Sequence, residues 1–344
     1  MRILIAGANS SYAIERFFVK YLNEVPDIKA ELFEAQNLFL SYYKKNVVNK
    51  ILFRLGYKQI YSGINKKLKE KIVELNPDVL FVFKGMEIFS ETLAWAKNKG
   101  IKLVNYNPDN PFIFSGRGSG NSNVTRSIPL YHLHLTYNKE VKLQMEREYN
   151  IPTVILPFGF DVDESIYKIC CEQREINKLC FVGNPDKFRA AFITSLAEEG
   201  IQTDVFGNDW QKYISHQNVT VHKTVEGDEF WKTLYKYRVQ LNLMRPHNLT
   251  THNMRSIEIA GIGGIQLAPD TEDHRQYFTP EKEIFLYKNL AECKAKIQKL
   301  LQMSIEQSHE IRLAVRKKAL EAGYSYKHRV MQALDAIRGI VFTK

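Results

Sequence analysis

Short apolar runs separated by stretches of helical length recur along this chain, and the rhythm plays through twice. In the N-terminal half, strand-like runs fall at 2–6, 79–83, 103–106, 133–137 and 154–156. Helical patterns fall between them at 14–22, 64–74 and 91–97, and Asn76-Pro77-Asp78 breaks the chain just before the run Val-Leu-Phe-Val-Phe. Alternation of this kind predicts an α/β fold with a parallel sheet covered on both faces, and in such sheets ligands collect beyond the carboxyl ends of the strands. The rhythm restarts after the turn-rich Pro157-Phe158-Gly159-Phe160-Asp161 and a charged linker to Asn177. Strands are then expected at 179–182, 202–206, 219–222, 239–243 and 264–267. Helices are expected at 189–198, 228–235, 254–260 and 290–302, with a long helical region over 304–339. A chain of 344 residues suits two such domains. The expected division is 1–160, 161–325 and a closing segment 326–344, the two parallel-sheet domains facing a cleft that suits a two-substrate enzyme.

No apolar run is long enough to cross a bilayer. The opening Met1 to Ser11 lacks the apolar stretch and cleavage site of a signal peptide, so a cytoplasmic location is expected, possible peripheral contact with the inner membrane face included. Cys170, Cys171, Cys180 and Cys293 have neither zinc-ligand nor redox spacing and read as reduced thiols. The formal charge of +10 is concentrated: between Lys44 and Lys71 nine Lys/Arg face Glu70 alone, interleaved with apolar and aromatic side chains such as Tyr42, Val47, Ile51 and Leu55. Residues 42–71 therefore fit a solvated basic helix face, an amphipathic patch on an anionic membrane, or a nucleic-acid surface.

Chemistry is written most densely from Asn242 to Phe278. A strand ends near Arg245, a polar loop follows, and a helix begins near Asn253, a suitable N-cap. A helix N-terminus offers unpaired N–H groups and partial positive charge to a diphosphate, and Arg255 adds a charge-assisted contact. One turn on, Glu258 can accept two hydroxyl hydrogen bonds from a ribose. Gly261, Gly263 and Gly264 permit close backbone approach at the helix end.

These residues, in this order, resemble the C-terminal domain of GT-B glycosyltransferases, most of all the CgeB-like group. The resemblance runs through Cys180-Phe-Val-Gly183, Asp204-Val-Phe-Gly207, Asn253-Met-Arg-Ser-Ile-Glu258 ahead of Gly263, Glu281 to Tyr287, and Tyr326-Lys-His-Arg329. It extends more loosely to Asn76 through Gly85, Asn107-Pro-Asp-Asn-Pro111 and Leu156-Pro-Phe-Gly159. It implies two Rossmann-like domains, a nucleotide-sugar donor (a UDP-sugar is the expectation) and no metal. It also implies a final helix crossing back to the first domain. Glu258, five residues before Gly263, takes the place of the ribose-binding Glu. Thr250 stands where many retaining members carry a second Glu, so an inverting reaction is expected. Gly183, Asn184 and Arg189 should approach the diphosphate and His222 the nucleobase; Gly207 and Arg245 complete the donor set.

Asp109 follows a first-domain strand, and its placement resembles that of the base in the inverting phage DNA β-glucosyltransferase. It is the candidate catalytic base, although an Asx turn between two prolines also explains it. Asn9, Ser10, Lys84 and Asn107 are the candidate acceptor-side residues. Asp161-Val162-Asp163 reads as a linker rather than a metal motif, His132-Leu133-His134 as packing rather than zinc ligation, and Gly116 to Gly120 as a mobile acceptor-side loop rather than a P-loop. The function expected is transfer of a sugar to a glycan or lipid-linked glycan in bacterial surface polysaccharide or glycoconjugate synthesis. The alternatives are a DNA-modifying glucosyltransferase, a non-catalytic glycan- or nucleotide-sugar-binding assembly protein, and a nucleotide-sugar epimerase.

Overall fold

The computed structural model describes residues 1–56, 59–114, 118–244 and 250–342. The chain divides into two compact units, Met1–Pro157 with Tyr326–Lys344, and Phe158–Ser325.

The first unit is built on six parallel strands: β1 (Arg2–Ala6), β2 (Lys29–Phe33), β3 (Val79–Phe83), β4 (Lys102–Tyr106), β5 (Leu133–Thr136) and β6 (Thr153–Ile155). Their order in the sheet is β2-β1-β3-β4-β5-β6. All five residues of β3 are buried, as a strand covered on both faces requires. Alternation sorts the side chains. Leu4, Leu80 and Val82 pack with Leu68 and Ile72 of the helix Gln59–Leu75 on one face. Phe81 and Phe83 meet Phe18 of the helix Ile14–Leu22, edge to face, on the other. The last helix, Tyr326–Phe342, buries Tyr326, Val330, Ala333, Leu334 and Ile337 at helical spacing. It packs on the first helix through Phe17–Tyr326 stacking at 4.5 Å and a Lys327–Glu24 pair at 2.9 Å.

The second unit repeats the plan with β7 (Ile176–Val182), β8 (Thr203–Phe206), β9 (Val219–His222), β10 (Tyr237–Leu241), β11 (Gln266–Pro269) and β12 (Phe285–Tyr287), in the order β12-β11-β10-β7-β8-β9, all parallel. At the amino ends of its central strands, Glu175 is bound by Arg238 and by Arg312 of the helix Ile305–Glu321. Arg312 also donates to the carbonyls of Tyr235 and Tyr237 at 2.6 and 2.9 Å. Burial works against the Glu175 carboxylate, but Ser308 and the two guanidiniums hold its pKa below the ordinary range.

Four expectations change. The strand β2 was not anticipated, because Lys29 and Glu31 interrupt its apolar pattern at a sheet edge. Nor was β12, which is only three residues long. The stretch expected as a charged linker to Asn177 contains the helix Glu164–Cys171, whose Tyr167 meets Tyr235 edge-on at 6.2 Å. The region 304–339 is two helices, broken where Gly323 takes a left-handed φ of 67°. All four cysteines are free, and Cys171 is the exposed one.

Candidate functional site

Each sheet has one point where the strand order reverses, β1/β3 in the first unit and β7/β10 in the second. Neighbouring connections leave in opposite directions there, which opens a crevice at the carboxyl ends of the strands.

At the β7/β10 crevice, Gly183 follows β7 and the helix Met254–Ile262 begins nine residues past Arg245, which itself lies outside the described residues. The helix start is tightly specified. Asn253 caps it, accepting from the Ser256 N–H at 3.0 Å while the Ser256 hydroxyl accepts from the Asn253 N–H at 3.2 Å. Asn242, just beyond β10, exchanges amide hydrogen bonds with Asn253 and donates to the Ser256 hydroxyl at 3.0 Å. Fully buried His274 closes the network. Its Nδ1–H donates to the Pro269 carbonyl at 2.8 Å, so Nε2 accepts from the Ser256 hydroxyl at 2.8 Å. Burial pushes the His274 pKa down to about 4 and keeps the ring neutral for this role. His252 bonds Asp273 at 2.7 Å beside it.

Arg255 and Glu258, one turn into that helix, lie side by side. Arg255 donates through Nη1 to Glu258 Oε2 at 2.7 Å and through Nε to the Val182 carbonyl at 3.1 Å, with its guanidinium 4.4 Å from the Phe230 ring. The side chains remain 23% and 14% exposed, so the pair is not sealed in the core. Among the described residues, Glu258 Oε1 and Arg255 Nη2 have no partner. Burial raises the Glu258 pKa, and Arg255 opposes the rise.

Other donor-side candidates have structural duties. Arg189 donates to the carbonyls of Asn184 and Leu243 at 3.0 and 3.1 Å, strapping the chain after β7 to the chain after β10. Asn184 also accepts from the Asn208 N–H at 3.3 Å. Gly207 brings the turn after β8 so close to Gly183 that a Cβ there would collide with the Gly183 carbonyl. His222 stacks on Phe206 at 4.4 Å and bonds Asp204 at 3.2 Å. The structure thus brings Gly183, Asn184, Arg189, Gly207, Asn253, Arg255 and Glu258 to one crevice, while His222, at the carboxyl end of β9, packs on Phe206 and Asp204 of β8.

At the β1/β3 crevice, Gly7 admits the carboxylate of Glu15, which accepts from the Ala8 N–H at 2.7 Å. Lys84 follows β3 with a left-handed φ of 61°, a strained conformation for a residue with a Cβ. Its ammonium binds Asp109 Oδ2 at 2.6 Å and the Gly118 carbonyl at 2.7 Å. Asn107 is fully buried; its Oδ1 accepts from the Asp109 N–H at 3.0 Å, making an Asx turn. Its Nδ2 has no partner among the described residues. Asn9 instead reaches sideways to Glu34 and Asn37, both at 2.8 Å, and Ser10 lies in the same turn, accepting through its carbonyl from Ala13. Of the loop Gly116 to Gly120, residues 116 and 117 lie outside the described residues.

The carboxylates Glu15 and Glu87 were missed in the sequence. Both are buried, 8% and 7% exposed, and both feel the charge of Lys84. Burial pushes Glu87 up to about 7 and raises Glu15 as well. A lone Glu inside a helix or turn carries no spacing signal; only the strand order places these two together. Asn242, Ser256 and His274 escaped notice for the same reason. Of the decoys, His132 Nδ1 accepts from the Leu103 N–H at 2.9 Å, and burial takes His134 down to about 3. No group of three or more His, Cys, Asp or Glu that could hold a metal occurs among the described residues.

Residues 189–335 match a family model described as Glycosyl transferase-like. The whole chain superposes on a glycosyltransferase from Rickettsia africae with a TM-score of 0.66 and 11% identity, covering 100% of this chain and 99% of that one. Sucrose-phosphate synthase from Thermosynechococcus elongatus gives 0.66 at 8% identity, with 99% of each chain covered. UDP-GlcNAc 2-epimerase from Neisseria meningitidis, solved bound to UDP-GlcNAc, gives 0.59 at 13%, covering 98% of this chain and 99% of that one. No curated protein matches. The fold, two α/β units each built on a six-stranded parallel sheet, is the GT-B fold of those glycosyltransferase structures, and residues 189–335 resemble the Glycosyl transferase-like family.

Proposed function

We propose that this glycosyltransferase-type chain takes a sugar from a UDP-sugar and transfers it, with inversion, to a hydroxyl of a glycan or lipid-linked glycan in surface polysaccharide or glycoconjugate synthesis. The carrying observation is the Arg255–Glu258 pair at the β7/β10 crevice, with Glu258 Oε1 and Arg255 Nη2 both unpartnered. A carboxylate oxygen at that position accepts from a ribose diol. The guanidinium nitrogen and the helix start take the diphosphate. As the glycosidic C–O bond to the diphosphate breaks, the leaving group departs with the electron pair, and Arg255 offsets the charge that builds on it. The acceptor oxygen forms the new bond to the anomeric carbon, and its proton passes to a carboxylate, which we assign to Asp109.

A second reading moves the base to Glu87. Asp109 is held by Lys84 at 2.6 Å, whereas Glu87 is buried with its pKa pushed up to about 7, where a general base works best. Turnover separates the two: Asp109→Asn should remove activity by roughly 10²–10⁴-fold if Asp109 is the base, and Glu87→Gln should do so if Glu87 is.

The donor reading is tested by thermal shift against UDP, GDP, dTDP and CMP. One nucleotide should raise the melting point of the native chain and fail to raise that of Glu258→Ala. Unchanged affinity in that variant removes Glu258 from the site. Product analysis with the UDP-sugar alone distinguishes transfer from the epimerisation that some structural neighbours carry out: an epimerised nucleotide-sugar without acceptor would overturn the transferase assignment.

A further inference from the structure

The helix Val47–Arg54 in the first unit buries none of its residues. Val47, Val48, Ile51 and Leu55 are 68%, 60%, 49% and 70% exposed, though each is a large apolar side chain. At 3.6 residues per turn the four fall within an arc of roughly 100°. The opposite side of the helix is fastened to the unit. Phe53 meets Phe39 at 4.9 Å and Tyr61 at 5.6 Å, and Asn46 caps the helix start. The outward apolar stripe is therefore a held feature of the fold, not a frayed end.

Around the stripe lie Lys44, Lys45, Lys50 and Arg54, with Lys66 and Lys67 exposed on the following helix. Among the described residues none of these six forms an ion pair; Lys71, at the edge of the basic segment, is bound by Glu31 and Glu74. Cations left without carboxylates suit an anionic partner. Apolar side chains at the centre of the patch give nothing to a phosphate backbone in water, but they enter the acyl boundary of a bilayer while the lysines meet its headgroups.

We infer that Val47–Arg54 is an in-plane anchor that docks the first unit on an anionic membrane surface. Tyr61 connects this anchor to the β1/β3 crevice: its ring touches Phe53, and burial together with the charge of Glu87 raises its own pKa. A lipid-linked acceptor held at the bilayer would thus be presented to the same unit that carries the crevice carboxylates. That consequence rests on the glycosyltransferase reading; the anchor itself does not.

The test is co-sedimentation of the full chain with vesicles of phosphatidylcholine, or of phosphatidylcholine and phosphatidylglycerol at about 3:1, with nucleotide binding measured in parallel. The native chain should pellet with the anionic vesicles at low salt and stay in solution with the neutral ones. Ile51→Glu/Leu55→Glu and Lys44→Glu/Lys45→Glu should each weaken pelleting at least tenfold. Both sites are exposed, so melting point and nucleotide shift should stay native. If one pair of changes unfolds the chain, Val48→Ser gives the same reading at a single position. Failure of the native chain to pellet at low salt would overturn the anchor. So would native-like pelleting by the apolar variant, or tighter retention of duplex DNA that ignores the apolar changes. Loss of nucleotide binding in the native chain would instead strike the donor reading and leave the anchor standing.

Discussion

Glu258 offers one oxygen to a ligand and spends the other on Arg255, so its removal has two separable effects. In Glu258→Ala the nucleotide loses a charge-assisted hydrogen bond of about 1.5–3 kcal/mol, which is roughly 10- to 150-fold in affinity by titration calorimetry. Arg255 keeps its bond to the Val182 carbonyl, so the unliganded chain should fold as before. Glu87 makes a pH prediction. Its folded pKa stands near 7 against an ordinary value of 4.5. Between those values the folded chain holds a proton that the unfolded chain has lost, so this group's contribution is complete at low pH and disappears as pH rises toward 7. Glu87→Gln has no proton to lose. Denaturant titrations at pH 5 and pH 8 should show the variant gaining on the native chain by up to about 3 kcal/mol as pH rises. A constant difference would show that Glu87 is not buried as a neutral acid.

At the scale of elements, the helix Met254–Ile262 owes its position to a network rather than to its own propensity. Ser256→Ala removes the reciprocal half of the cap and leaves Nε2 of buried His274 without its donor. The expected cost is about 1–3 kcal/mol in urea unfolding, with weaker nucleotide binding because the helix start is no longer held against Asn242. The cap was legible in the residues, since Asn253 precedes an apolar-periodic run. Its partner His274 was not, because seventeen intervening residues return through β11 before that ring reaches Ser256. The helices expected at 14–22 and 254–260 match Ile14–Leu22 and Met254–Ile262 closely, because their apolar spacing is undisturbed. Strand β2 lacked such a pattern.

At the scale of the whole chain, each unit repeats one doubly wound plan, and the second is tied at its amino-end side by Glu175, Arg238 and Arg312. The two arginine side chains are only 4% exposed, so breaking the cluster strands a charge. Arg312→Met should cost about 3–5 kcal/mol, and adding Glu175→Gln should restore part of it. Because the Glu175 carboxyl is held low, the cluster's contribution is present above the ordinary carboxylate range and lost as pH falls, the reverse of Glu87. Chemical denaturation of the single and double variants at pH 7 and pH 4 measures both effects.

Periodicity of apolar residues is a local property, and it alone determined that this chain forms two parallel α/β sheets in series and that a capped helix bearing Arg255 and Glu258 follows a strand of the second. Strand order is not local. Only the tertiary structure decided that the chain after β1 adjoins the chain after β3, and that after β7 the chain after β10. That order collects Glu15, Glu87, Lys84 and Asn107 at one crevice, and Gly183, Arg189, Arg255 and Glu258 at the other. The same holds for charge: nine basic residues between 44 and 71 were countable in the sequence, but the packing of Phe53 against Phe39 and Tyr61 and the exposure of Val47 and Ile51 followed only from the tertiary structure.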